Sequence, residues 1–178
     1  MFSMMSLFPL VYFLYVLIPL GPLVYIFIKW WSNKESKPVD PNLGIKVITY
    51  YFKTIGYHIF LIGFSLILHD ILKGGSKNSF SIGFGILICG SIVYIIHLMI
   101  IQRFFKDTVF SITKRIYNAF NLIFVGLISI TSMSICLSIL LGKRSKGFEA
   151  PLTFFIVYVI AWIFQSWYFY KPLFKKEK

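Results

Sequence analysis

Acid is what this sequence most lacks, with six Asp and Glu against 18 Lys and Arg in 178 residues. Glu35, Asp40, Asp107, Glu149 and Glu177 fall in polar connections or in the tail, which leaves Asp70 alone beside an apolar run. Two-metal chemistry needs several carboxylates converging from facing elements, so that class of enzyme is excluded. HExxH, GxSxG and a P-loop are all missing, which removes the common zinc, acyl-transfer and nucleotide-hydrolysing sites. No catalytic residue and no metal-ligand set is assigned, and no cofactor is expected. Cysteine is scarce too: Cys89 and Cys136 lie inside apolar runs, where a thiol behaves as a small hydrophobe, so no disulfide framework is expected.

What is present is apolar. Hydrophobic residues make up 58% of the chain and aromatics 20%, with only 13% charged, where a soluble domain carries roughly a quarter charged residues. Apolar runs that each suit a membrane helix of about 20 residues cover residues 7–28, 50–71, 80–101, 117–141 and 151–170. The expected fold is all-α and integral to the membrane, a single polytopic domain over 1–178 with five transmembrane helices. The first run lacks a basic leader and a small-residue cleavage site, so it is expected to be retained as a helix.

The net charge of +12 is spread in clusters between the apolar runs and forms no single basic face, which argues against nucleic acid as a partner. The clusters read as topology signals. Lys29, Lys34, Lys37, Lys46, Lys53, Arg103, Lys106, Lys114, Arg115, Lys171, Lys175, Lys176 and Lys178 fall on one side, and Lys73, Lys77, Lys143, Arg144 and Lys146 on the other. The richer side faces the cytoplasm, so five spans place the N-terminus outside and the C-terminus inside. A bacterial inner membrane is the expected location, with the mitochondrial inner membrane as the alternative, and lipids with anionic headgroups are expected partners.

Small and polar residues in the apolar runs mark where helices meet. Gly56, Gly63 and Asp70 on the second span, and Gly83, Gly90 and His97 on the third, recur every seventh residue, close to two helical turns, so each set forms one stripe. The two spans are joined by a short Gly-rich turn and are expected to form a tight antiparallel hairpin. Folding about the middle of that turn opposes Gly63 to Gly90, Asp70 to Gly83 and Gly56 to His97, and leaves Ile62 and Leu66 toward lipid. Ser134, Ser138 and Gly142 on the fourth span repeat every fourth residue, the spacing that favours helix contact.

Two features carry possible chemistry. His58, Ser65 and His69 form a second stripe on the second span, about 200° from the glycines, and with His97 they are candidates for a proton path or a ligand set. Pro19, Gly21 and Pro22 fall near the middle of the first span and are expected to kink or break it. The leading functional reading is a non-catalytic subunit that anchors, stabilises or assembles a larger complex with other membrane protein subunits. The alternatives are an ion or proton conductor using the His58 stripe and the broken first helix, and a haem-bearing electron-transfer subunit.

Overall fold

Inside a bilayer no water satisfies backbone N–H and C=O groups, so a chain this apolar must bond its backbone within each segment. The computed structural model describes residues 20–34, 42–74, 77–105, 112–142 and 147–174. Every element among the described residues is an α-helix: α1, Leu20–Lys34; α2, Leu43–Leu72; α3, Lys77–Phe104; α4, Ile112–Leu141; and α5, Glu149–Phe174. Helices α2 to α5 are each long and apolar enough to cross a membrane. The chain is therefore all-α and of the multi-pass membrane type.

The described part of α1 has 15 residues, about 22 Å at ~1.5 Å per residue, which is shorter than the ~30 Å hydrocarbon layer. Pro19 and the earlier part of the expected first span lie outside the described residues. Gly21 and Pro22 fall in the first described turn of α1, and a Cβ added at Gly21 would rest 3.5 Å from the ring of Tyr51. Within α1 itself the helix continues unbroken from Leu20 to Lys34.

Each described helix runs past the apolar stretch that reveals it. α2 starts at Leu43, ahead of the expected residue 50, and α4 at Ile112, ahead of 117. The apolar run measures only the hydrocarbon-length portion, whereas Lys, Tyr and Thr at the membrane surface are compatible with further helical turns. Thr49 and Thr54 donate to the carbonyls of Ile45 and Tyr50, at 2.7 and 2.9 Å, and so cost the helix no unsatisfied group.

α2 stops at a left-handed glycine. Gly74 has φ 87°, and the last carbonyls are capped by Lys73 N–H to His69 O at 3.0 Å and Gly74 N–H to Ile71 O at 3.3 Å. A side chain at Gly74 would strain that conformation. Gly147, at φ 91°, turns the chain into α5, where Glu149 in the first turn suits the positive end of the helix dipole.

The chain packs as two compact units, Met1–Tyr57 with Ile92–Tyr117 and His58–Ser91 with Asn118–Lys178. In the first, Val24 and Ile28 of α1, Leu43, Val47 and Tyr50 of α2, and Tyr117 of α4 form the core, with Tyr51, Ile101 and Ile116 packed against it. In the second, α2 is central. Its glycine stripe meets α3, while His58 meets Phe124 of α4 and Tyr158 of α5.

The tight hairpin is present in the second unit, in a different register from the one expected. A Cβ on Gly63 would lie 2.7 Å from Leu87 Cα, and one on Gly90 would lie 2.8 Å from Phe60 Cα. Gly83 faces Leu66 and Ile67, with contacts of 3.1 to 3.2 Å for the same added atom. Gly63 and Gly90 are thus staggered by about one turn, each seated on the opposite helix's backbone and not on the other glycine. Asp70 does not oppose Gly83. The cause is the turn: α2 ends at Leu72 and α3 begins at Lys77, so the midpoint of the connection falls earlier than the one that pairs glycine with glycine. Ile62 is buried and Leu66 is half-buried against Gly83, so neither looks squarely into lipid. In the first unit, Gly56 is buried, and His97 stacks on Phe52 at 5.4 Å, where Gly56 was its expected partner.

Candidate functional site

The polar stripe of α2 enters the second unit at His58, which is fully buried, and continues to Ser65, also fully buried. His58 lies between two aromatic rings, with Phe124 edge-on at 5.3 Å and Tyr158 stacked at 6.3 Å. The side chain of Asn121 is its polar neighbour. The Asn121 Oδ1 atom is buried and accepts no hydrogen bond among the described residues. His69 is half-buried near the end of α2, and Asp70 beside it is buried.

The hydroxyls around this stripe are committed to their own helices. Ser65 donates to Leu61 O at 2.9 Å, Ser91 to Leu87 O at 2.8 Å and Thr153 to Ala150 O at 2.8 Å. His97 does the same through Nδ1, 2.7 Å from Val93 O. A carbonyl can only accept, so that nitrogen carries the proton. A proton relay needs donors free to hand a proton onward, and each of these side chains directs its proton at its own backbone. The geometry is that of a polar residue packed in a helical core.

Ser134 and Ser138 are exposed and donate to Ile130 O and Ser134 O at 2.9 and 2.8 Å; Gly142 beside them is exposed as well. The face of α4 that packs internally carries Tyr117, Val125, Ser129, Ser132 and Cys136 instead. Serine bonded to its own helix is tolerated on either face, so its spacing alone did not choose the face. Gly126 is the close approach that spacing missed: an added Cβ would sit 3.0 Å from Nε1 of Trp162. Among the described residues no three His, Cys, Asp or Glu side chains group as a metal site.

The first unit holds a second cluster, whose lysines read in the sequence only as topology signals. The ammonium of Lys53 sits over two rings, 5.9 Å from Tyr50 and 5.7 Å from Tyr94, and the charge of Lys114 lies near enough to repel it. Tyr50 stacks on Tyr117 at 6.0 Å. Tyr117 is 1% exposed, and its buried hydroxyl has no hydrogen-bond partner among the described residues. The signal available in the sequence was the spacing of Tyr50, Lys53 and Tyr57 on one helix, with Lys114 and Tyr117 on another.

No protein-family model, curated protein or solved structure matches this chain. The functional reading therefore rests on its own residues.

Proposed function

We propose that this chain is a non-catalytic subunit that anchors, stabilises or assembles a larger membrane protein complex. The supporting observation is where the apolar surface lies. Only 6% of the central stretch of α3 is buried within the chain, against 39% for α2, and α4 and α5 present Leu127, Ile130, Ile163, Phe164 and Trp167 outward. Helices that bury so little of themselves offer most of their surface to lipid or to other membrane helices. Among the described residues the hydroxyls of Ser65, Ser91 and Thr153 close onto carbonyls of their own helices, which supports the same reading. In this proposal residues 7–28 form a fifth span, the N-terminus is outside, and the basic tail faces the cytoplasm of a bacterial cell.

The test is purification of the tagged chain in mild detergent, followed by mass spectrometry, a visible spectrum and reconstitution. Stoichiometric recovery of other membrane polypeptides is the expected result. A chain recovered alone that passes ions in liposomes would overturn the proposal in favour of a conductor, and a Soret band would do so in favour of a haem protein.

A further inference from the structure

We propose that the lysine and tyrosine cluster of the first unit is a binding site for the phosphate of an anionic phospholipid. Lys53 and Lys114 would supply the charge and Tyr117 a hydrogen-bond donor. This rests on the membrane placement proposed above and adds to it a specific, saturable site.

The depth is suitable. α2 has 30 residues, about 45 Å at ~1.5 Å per residue, so it exceeds the ~30 Å hydrocarbon layer by about 15 Å. Lys53 stands ten residues in from Leu43, about 15 Å along the axis, which puts it at the boundary between acyl chains and headgroups. Tyrosine rings favour that same level.

The electrostatics call for an anion. Lys53 is half-buried, and no Asp or Glu stands among the described residues of this unit. Near its ammonium lie two π faces and a second cation. Cation–π contacts of this kind favour the ammonium, while the neighbouring Lys114 works against them. A phosphate placed between the two ammonium groups turns that repulsion into two attractions.

The hydrogen bonding is consistent with this. Tyr50 connects the two sides of the cluster, because its ring carries Lys53 and stacks on Tyr117. Lys114 and Tyr117 are three apart on α4, hence on one face. A buried phenol without an acceptor is costly, and a phosphate oxygen is an acceptor of the right kind. An apolar acyl chain could then lie along the outward faces of α2 and α3, where Phe52, Ile95 and Met99 are exposed.

The experiment is native mass spectrometry of the full chain, delipidated in mild detergent and titrated with phosphatidylglycerol or phosphatidylcholine. One tightly held phosphatidylglycerol is expected, with a clear preference over phosphatidylcholine. Lys53→Gln should weaken phosphatidylglycerol about five-fold, the effect of one cation near an anionic headgroup. Tyr117→Phe, which keeps the ring, should weaken it about ten-fold, as expected for a hydrogen bond to a charged group. Lys53→Arg should retain the preference, and Lys73→Gln, on the turn after α2, should change nothing.

Equal retention of the two lipids, unchanged binding in a folded Lys53→Gln chain, or an equal loss in Lys73→Gln would overturn the site. Displacement by millimolar inorganic phosphate would assign the cluster to free phosphate and would also overturn it as a lipid site. Co-purifying subunits in the absence of lipid preference would remove this site and leave the proposed assembly role standing.

Discussion

The glycine seam between α2 and α3 makes the sharpest demand on the fold, and alanine is enough to test it. A methyl on Gly63 would lie 2.7 Å from Leu87 Cα and 2.9 Å from Leu87 Cβ; one on Gly90 would lie 2.8 Å from both Phe60 Cα and the Ile59 carbonyl carbon. Carbon atoms rest about 3.5–4.0 Å apart, and the obstructing atoms are mostly backbone, which cannot rotate away. The helices must separate by about 1 Å, and a gap of ~0.5–1 Å forfeits a quarter to a half of the dispersion energy of each contact along the seam. In lipid that packing is much of what holds helices together, so each substitution should cost about 1–3 kcal/mol through overpacking.

Alanine also favours helix over glycine by about 1 kcal/mol, which would blur the result if either variant were read alone. Gly85 on α3 removes this difficulty. It is exposed, and a Cβ there meets nothing within 4 Å, so Gly85→Ala carries the propensity gain without the clash. The difference between Gly90→Ala and Gly85→Ala isolates the seam. Thermal unfolding in one detergent should place Gly90→Ala and Gly63→Ala below Gly85→Ala, by about 2–4 °C for each kcal/mol in a chain of this length. Indistinguishable midpoints for Gly85→Ala and Gly90→Ala would refute the close approach.

Cysteine pairs test the register separately. In a background without Cys89 and Cys136, Leu66→Cys with Gly83→Cys should oxidise readily, since the added Cβ at Gly83 lies 3.2 Å from Leu66 Cβ, near the ~3.5–4.5 Å of a disulfide; equal oxidation when Ser65 carries the first cysteine would refute it. His58→Ala should destabilise the chain by about 2–4 kcal/mol, because a fully buried ring between Phe124 and Tyr158 leaves a cavity, while His58→Phe should retain more of that stability and leave ion flux in liposomes unchanged; loss of a measurable flux would restore the conducting reading. Ser138→Leu, on an exposed face of α4, should shift the stability of the isolated chain by no more than about 0.5 kcal/mol yet reduce recovery of partner subunits, and equal recovery would remove that face from the interface. Reporter fusions should place Gly75 and Ser145 outside and the tail inside, and an external tail would end the five-span topology.

Lipid is as apolar as leucine, so an apolar residue in a membrane helix says little about whether it is buried. The small and polar residues carry the legible information. Gly63, Gly83 and Gly90 lie where an added Cβ would meet the facing helix, and a missing side chain matters only where a backbone comes close. His58 lies on the opposite, buried face of α2, where an imidazole taken out of water demands a neighbour. The register was not legible, since it depends on where α2 ends and α3 begins, at Leu72 and Lys77, and a polar turn rich in glycine does not mark those ends in the sequence. Helix ends were equally hidden, because hydrophobicity fades at the membrane surface while α2 begins there, at Leu43.

The same reasoning applies to serine elsewhere. Ser134 and Ser138 satisfy themselves on carbonyls one turn back, so the helix bears no penalty for turning them outward, and their spacing alone does not say which neighbour they meet. A polar group is informative only when its own helix cannot satisfy it. Asn121 Oδ1, an acceptor that finds no donor among the described residues, and the Tyr117 hydroxyl are of that kind. The first stands beside His58. The second shares the Tyr50 ring with Lys53. Lysine is informative in the same way, because its helix offers an ammonium no counter-charge, and Lys53 lies half-buried beside the charge of Lys114. The two places therefore differ in what would meet them: a neutral polar contact at His58, beside Asn121, and, in the proposal above, the phosphate of an anionic lipid at Lys53.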